Sequence, residues 1–334
     1  MTMKQNDTTF KAFRVKELGG TYTGSVEEME FSPSGSNEIL VKVHYSSLNY
    51  KDALSASGNR GVTGKYPHTP GIDAAGIIEK SNSATMTVGE KVIVTGYDLG
   101  MNTDGGFAEY IQVPADWAVP LPEKLTMKEA MIYGTAGLTA GMSVLRLTEL
   151  LHPEDGKIVV TGATGGVGAV SISLLSKLGY HVVAVTGKAT ERDYLTNLGA
   201  KEIVLRSELE APGNRPLLKP LYAGAIDTVG GVILENIIKS TGSMGVVTCC
   251  GNVASPRLDL TVYPFILRGV TLIGIDSQNY PMNHRIKVWE RLADNWKPEQ
   301  LEATCTEITL EEAGAKIELM LQGRLKGRIV LRLV

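Results

Sequence analysis

Between Ile158 and Gly187 the chain reads as an apolar strand (Ile158, Val159, Val160), a glycine-rich turn (Gly162, Gly165, Gly166, Gly168), a helix, and a second apolar strand (His181 to Val185). The helix carries Ala169, Ile172, Leu175 and Leu178 on one face, has Lys177 in its last turn and stops at Gly179, as a surface-packed helix should. Such a βαβ unit commits a chain to a parallel sheet and seats a dinucleotide. Its glycines let the backbone approach a pyrophosphate, and the helix N-terminus stabilises the charge. Thr164, Gly165, Gly166 and Val167 are the residues expected around that pyrophosphate.

The end of the second strand narrows the nucleotide. A site for NAD usually places Asp or Glu there for the ribose 2′-hydroxyl, whereas this chain has Thr186, Gly187 and Lys188. Without a carboxylate to repel it, a 2′-phosphate is favoured, so the expected cofactor is NADP (NADPH). Lys188 meets the phosphate with charge and Thr186 with a hydroxyl, or Lys188 is a solvated turn lysine. Arg206, just after the next expected strand (Ile203 to Leu205), lies beside the same phosphate or is a surface arginine.

Composition sets wider limits. At 334 residues the chain exceeds one ordinary core and suits two domains. The net charge of -3, with no basic stripe, argues against nucleic acid and membrane surfaces as partners. Met1 to Phe10 is polar and no later run has the length of a membrane span, which points to a cytoplasmic protein. The three cysteines, Cys249, Cys250 and Cys305, make no disulfide framework.

Before about residue 126 the chain has short β-like runs broken by turns, at Ile39 to Tyr45, Ala75 to Glu79, Lys91 to Thr95 and Phe107 to Val113. This region is expected to be a small β-rich domain. From Met127 to Ser277 strands and helices alternate: strands at 158–161, 181–185, 203–205, 225–229, 245–249 and 270–275, helices at 166–178, 190–198 and 232–240. Alternation of this kind implies a doubly wound parallel sheet, an α/β fold. Residues 278–334 offer two helices, Val288 to Asn295 and Leu310 to Leu321, and a closing strand, Arg328 to Leu333. They are too few for a domain of their own and are expected to complete the first one. Glu208 to Tyr222, with Pro212, Gly213, Pro216 and Pro220, is expected to be a surface loop.

Several stretches together carry a family likeness: Ser46-Ser47-Leu48-Asn49-Tyr50-Lys51-Asp52, Thr69-Pro70-Gly71-Ile72-Asp73, Gly134-Thr135-Ala136-Gly137, Gly224-Ala225-Ile226-Asp227-Thr228-Val229-Gly230 and Pro264-Phe265-Ile266-Leu267-Arg268-Gly269. The chain resembles the zinc-independent quinone oxidoreductase group of the medium-chain dehydrogenase/reductase superfamily, and most of all its acrylyl-CoA reductase branch. The resemblance implies a GroES-like β-rich catalytic domain beside a Rossmann nucleotide-binding domain. Zinc members of the superfamily use a Gly-His-Glu turn; here the turn reads Gly71-Ile72-Asp73, and the usual first ligand falls at Asn49. Isoleucine cannot ligate a metal, and the five histidines show no ligand spacing, so no metal is expected. None of the twelve tyrosines is followed four positions later by Lys, which sets aside a short-chain dehydrogenase. There is no Gly-Lys-Ser/Thr P-loop either.

Without a metal to polarise an alcohol, the expected chemistry is reduction of a double bond already activated by a conjugated carbonyl. The resemblance places Tyr50 against the nicotinamide and phosphates, as a hydrogen-bond donor that stays neutral; its alternative is a partly buried packing tyrosine. Asn49 is a second catalytic candidate, or a turn asparagine. Thr135 lies near the nicotinamide or caps a helix. Asn252, after the fifth strand of the parallel sheet, falls at the carboxyl edge where ligands bind. Ile266 and Ser277 match cofactor-contacting positions by resemblance, or pack. Asp52 reads as a structural cap or the partner of a nearby cation, and Lys51 as solvated. The expected substrate is a small α,β-unsaturated acyl-CoA, with a quinone or enone as the rival; a non-catalytic NADP-binding protein is the third possibility. An apolar edge strand at Val270 to Ile275 suggests a homodimer.

Overall fold

The computed structural model describes residues 9–211 and 215–334; Met1 to Thr8 of the polar opening segment, and Pro212 and Gly213 of the expected loop, lie outside the described residues. The chain divides into two units. The first runs up to Thr135 and includes Gln278–Ala293 and Gln300–Val334; the second holds Ala136–Ser277 and Asp294–Glu299.

The first unit opens with an antiparallel hairpin, β1 (Thr9–Leu18) and β2 (Thr21–Glu30). Neither strand is legible as one, because buried Arg14 and the acidic run Glu27, Glu28, Glu30 break the apolar alternation. Next come β3 (Glu38–Leu48), the short helix α1 (Tyr50–Ala56), β4 (Asp73–Ser81), β5 (Lys91–Thr95), β6 (Tyr110–Pro114) and β7 (Ala118–Pro120). β3, β4, β5 and β7 follow one another across an antiparallel sheet, with β6 also on β3. Ile39, Val41, Val43, Ala74, Ile78, Val92 and Val94 alternate inward to form its core, as a sheet with one buried face requires.

The helix α2 (Met127–Thr148) leaves this unit through a break in its backbone at Gly134, φ 50° and ψ -154°. The second unit then alternates β8 (Lys157–Val160), α3 (Gly166–Lys177), β9 (His181–Thr186), α4 (Arg192–Asn197), β10 (Glu202–Leu205), β11 (Tyr222–Asp227), α5 (Gly231–Ser240), β12 (Thr241–Cys249), α6 (Tyr263–Arg268) and β13 (Thr271–Gly274). These six strands are parallel, in the order β10-β9-β8-β11-β12-β13. That is the doubly wound order of a dinucleotide fold, whose carboxyl edge is the ligand side. Its core joins Val159, Val183, Val185, Ala225 and Val247 of the sheet to Ile233, Leu234, Ile237 and Ile238 of α5.

Several expected elements change. The helix expected over 190–198 is a 3₁₀ turn, Ala189–Glu191, running into α4, and β12 reaches back to Thr241 because it follows α5 without a loop. The chain then returns to the first unit as α7 (Met282–Ala293), β14 (Cys305–Ile308), α8 (Ala313–Leu321) and β15 (Arg328–Arg332). α7 starts six residues before the expected Val288. β15 pairs antiparallel with β3, setting Ile329 opposite Leu48.

Candidate active site

In the first unit the join of β3 to α1 holds two buried aspartates. Asp52 and Asp73 are both 0% exposed, and an ionised carboxylate in such a place must be satisfied by donors. Asp52 lies in the first turn of α1, where its Oδ2 accepts the N–H of Asn49 at 2.7 Å. Its Oδ1 accepts the N–H groups of Gly71 and Ile72 at 3.0 and 2.8 Å. Asp52 therefore caps its own helix, as expected from sequence, and also ties α1 to the turn before β4. Burial, with neighbouring Asp73 adding to it, pushes the Asp52 carboxyl up to about 7, against the pull of the three N–H groups.

Asp73 collects more donors. Its Oδ2 accepts from the Ser47 hydroxyl at 2.5 Å and the Asn49 amide at 2.7 Å. Thr135 donates its hydroxyl to Oδ1 at 2.6 Å and its N–H to both oxygens, at 3.0 and 2.9 Å. Thr135 follows the backbone break at Gly134, so its N–H has lost its helical acceptor and the carboxylate takes that role. The guanidinium of Arg328 closes the group from β15. Its Nη2 donates to Ser47 Oγ at 2.9 Å and lies 3.9 Å from Asp73 Oδ2, Nη1 donates to Asn49 Oδ1 at 3.2 Å, and Nε donates to the Ile132 carbonyl at 2.8 Å. Gly134 is fixed by this crowding: a Cβ there would strike the Asp73 carboxylate and the Ser47 hydroxyl, and its positive φ already disfavours a side chain.

The structure thus draws Asn49 and Thr135 together, with both side chains engaged by Asp73. Tyr50, by contrast, stands at the start of α1 and is 45% exposed. Lys51 is not simply solvated, since its Nζ donates to Gln278 Oε1 at 2.7 Å. Arg328 is the member that sequence reasoning missed; a single arginine entering an apolar closing strand gives no sign that it is 3% exposed.

In the second unit several of the expected nucleotide residues follow the carboxyl ends of strands of the parallel sheet. β8 leads into the glycine turn, Gly165 is the N-cap of α3 and Gly166 its first residue, and Thr164 is buried nearby. The turn is tight enough that a Cβ at Gly168 would collide with the Gly162 carbonyl. Thr161 and Asp227, at the ends of β8 and β11, brace it: Thr161 Oγ1 donates to Asp227 Oδ1 at 2.7 Å and accepts the Thr228 N–H at 2.9 Å, while Asp227 Oδ2 accepts the Gly230 N–H at 2.8 Å. Burial raises the Asp227 carboxyl. Thr186 ends β9, accepts the Lys188 N–H at 2.9 Å and pairs in register with Leu205, which brings Arg206 beside Gly187. Asn252 is exposed after β12 and beside Gly230. Ser277 follows β13 and its hydroxyl receives that of Thr139 at 2.8 Å. Ile266 is 67% exposed on α6. Burial pushes the Cys250 thiol up to about 12, which leaves it without nucleophilic character.

A doubly wound nucleotide fold joined to a β-rich unit of this topology defines a dehydrogenase/reductase. Residues 35–123 match the alcohol dehydrogenase GroES-like domain, and residues 166–294 match the zinc-binding dehydrogenase family. The chain is 42% identical to the putative quinone oxidoreductase YhfP of Bacillus subtilis, over 98% of this chain and 99% of that protein. The YhfP crystal structure with NAD bound superposes with a TM-score of 0.95, covering 98% of this chain and 100% of that one. Acrylyl-CoA reductase AcuI of Ruegeria pomeroyi is 40% identical over 94% of this chain and 96% of that protein. The yhdH oxidoreductase of Salmonella enterica, crystallised with NADP, is 41% identical with a TM-score of 0.94, covering 97% of this chain and 100% of that one. The chain belongs to the quinone oxidoreductase and acrylyl-CoA reductase branch of the medium-chain dehydrogenase/reductase superfamily.

Zinc, which the second family description carries, does not fit these residues. The turn offers Ile72, and the carboxylate of Asp73 is already occupied by Ser47, Asn49, Thr135 and the Arg328 cation. Among the described residues no group of three or more His, Cys, Asp or Glu is placed to hold a metal ion. A dinucleotide does fit: the glycine-rich turn at the N-terminus of α3 has the open backbone a pyrophosphate needs, and the end of β9 carries Thr186, Gly187 and Lys188 in place of the acid that would repel a 2′-phosphate.

Proposed function

We propose that this chain is an NADPH-dependent, zinc-independent reductase that delivers hydride to the β-carbon of a small α,β-unsaturated acyl-CoA of the acrylyl-CoA type. The observation that carries this reading is the donor set of Asp73. A guanidinium and three hydrogen-bonding side chains fill the place where zinc relatives would need ligands, so this cluster offers no Lewis acid. The substrate must then arrive with its own activating carbonyl, as a thioester conjugated to a double bond does.

NADPH, when bound, would supply the hydride, and the enolate left on the substrate then takes a proton at its α-carbon to complete the reduction. Thr164, Gly165, Gly166 and Val167 hold the pyrophosphate, and Thr186, Gly187, Lys188 and Arg206 receive the 2′-phosphate. Asn252, Ile266 and Ser277 complete the nucleotide's contacts. Tyr50 donates its hydroxyl to the charge that develops on the acceptor's carbonyl oxygen. Asn49 and Thr135, both engaged by Asp73, set the backbone from which Tyr50 projects. The name of YhfP favours a quinone as the second reading. A homodimer through β13, which pairs with β12 alone among the described strands, and a cytoplasmic location accompany the proposal. No helix of the described residues is long and apolar enough to cross a membrane.

Steady-state oxidation of NADPH with acrylyl-CoA, a benzoquinone and a small enone tests the reading. Acrylyl-CoA is expected to give the largest kcat/KM. A larger value with the quinone transfers the assignment to the second reading, and no turnover with any acceptor removes the enzyme reading. Tyr50→Phe is expected to lower kcat with acrylyl-CoA by about 10²-fold, the scale for loss of one donor to a developing oxyanion.

A further inference from the structure

We infer that Glu210 is a specificity-determining residue that weakens this chain's preference for NADPH over NADH by occupying the arginine that the 2′-phosphate needs. The inference rests on the proposed nucleotide site. Arg206 opens the 3₁₀ turn that follows β10, and the pairing of Leu205 with Thr186 sets it beside the end of β9. The guanidinium packs on the backbone of Gly187, so closely that a Cβ there would lie 3.4 Å from Arg206 Cζ. In that position Arg206 Nε forms an ion pair with Glu210 Oε1 at 2.8 Å, one helical turn further along the chain. The carboxylate is therefore not at the strand end, where an NAD site carries it, but reaches the same neighbourhood from the next loop.

Charge sets the direction of the effect. A phosphate oxygen hydrogen-bonded to the same guanidinium lies within roughly 6 Å of the Glu210 carboxylate, and two anions on one exposed cation repel each other. NADH has only a hydroxyl at that position and meets no repulsion. Both partners are about half exposed, Arg206 at 56% and Glu210 at 46%, so the effect is modest: roughly two- to fivefold in affinity. Lys188, the residue after Gly187, keeps the balance on the NADPH side.

The test is direct titration of the full-length protein with NADPH and with NADH, monitored by nucleotide fluorescence, in wild type, Glu210→Gln, Arg206→Gln, the double variant of these two and Lys188→Asp. Glu210→Gln is expected to tighten NADPH two- to fivefold and leave NADH unchanged, and 2′,5′-ADP as a competitor should behave as NADPH does. In the Arg206→Gln background the Glu210 substitution should lose most of that effect. Unchanged or weaker NADPH binding in Glu210→Gln overturns the inference, as does an equal gain for both nucleotides. If Arg206→Gln weakens NADPH while Glu210→Gln does nothing, only the role of Glu210 fails. If Arg206→Gln and Lys188→Asp both leave NADPH binding intact, the 2′-phosphate site fails with it.

Discussion

The glycine turn of the second unit and the aspartate cluster of the first are built on opposite plans. The turn is a backbone structure: its residues lie within a few positions of one another, it works by the absence of side chains, and the peptide N–H groups supply the chemistry. The cluster is a side-chain structure. Ser47, Asn49, Asp52, Asp73, Thr135 and Arg328 come from four separate segments, and their polar atoms are held by one another and by backbone groups of several turns and strands. A site made of backbone tolerates exchange of its side chains so long as none is added at the glycines. A site made of buried side chains fails when any one partner leaves, because the rest remain desolvated.

The sharpest way to break that contrast is Arg328→Met. Removing the cation from buried Asp73 is expected to destabilise the protein by about 3–5 kcal/mol, read from the shift in urea midpoint; a change under about 1 kcal/mol would show that the ion is dispensable. Next is pH. The Asp52 carboxyl rises from 3.8 to about 7, so the native state keeps a proton that the unfolded chain releases. Its stabilisation is complete below about pH 4 and is lost as pH rises through about 7, by at most about 4 kcal/mol. Asp52→Asn should abolish that part of the slope between about pH 4 and 7, and parallel stability profiles for variant and wild type would rule the titration out. In the second unit, Thr161→Val leaves Asp227 Oδ1 without its donor and is expected to cost about 1–3 kcal/mol, read from thermal unfolding. The smallest effect belongs to the turn itself. Thr164→Ala should change stability by less than about 1 kcal/mol, with NADPH affinity reduced far less than by Gly168→Val, whose added side chain collides with the Gly162 carbonyl.

The same contrast explains which parts of the molecule are legible in its sequence. The parallel strands and the turn at Gly162 to Gly168 come from local patterns, because strand, turn and helix each write their period into adjacent residues. So do the ends of two neighbouring strands, marked by Thr186, Lys188 and Arg206. β1 and β2 are hidden because Arg14 is buried within an exposed-looking run, and the partnership of Asn49 with Arg328 spans 279 residues. No local period reports a contact of that reach. The motif around Asn49 and Asp73 is visible, yet its meaning as one half of an ion cluster depends on a strand at the far end of the chain.

That separation has a consequence during synthesis. Arg328 comes 281 residues after Ser47, and at about 5–20 residues per second a ribosome needs roughly 15–55 s to add them. For that interval Asp73 has emerged without its cation, while the glycine turn and its sheet are made within it. A nascent chain can thus assemble a nucleotide-holding half before the half that carries Tyr50 has the charge balance to close, and nucleotide binding to the growing chain would precede activity by the time it takes to reach β15.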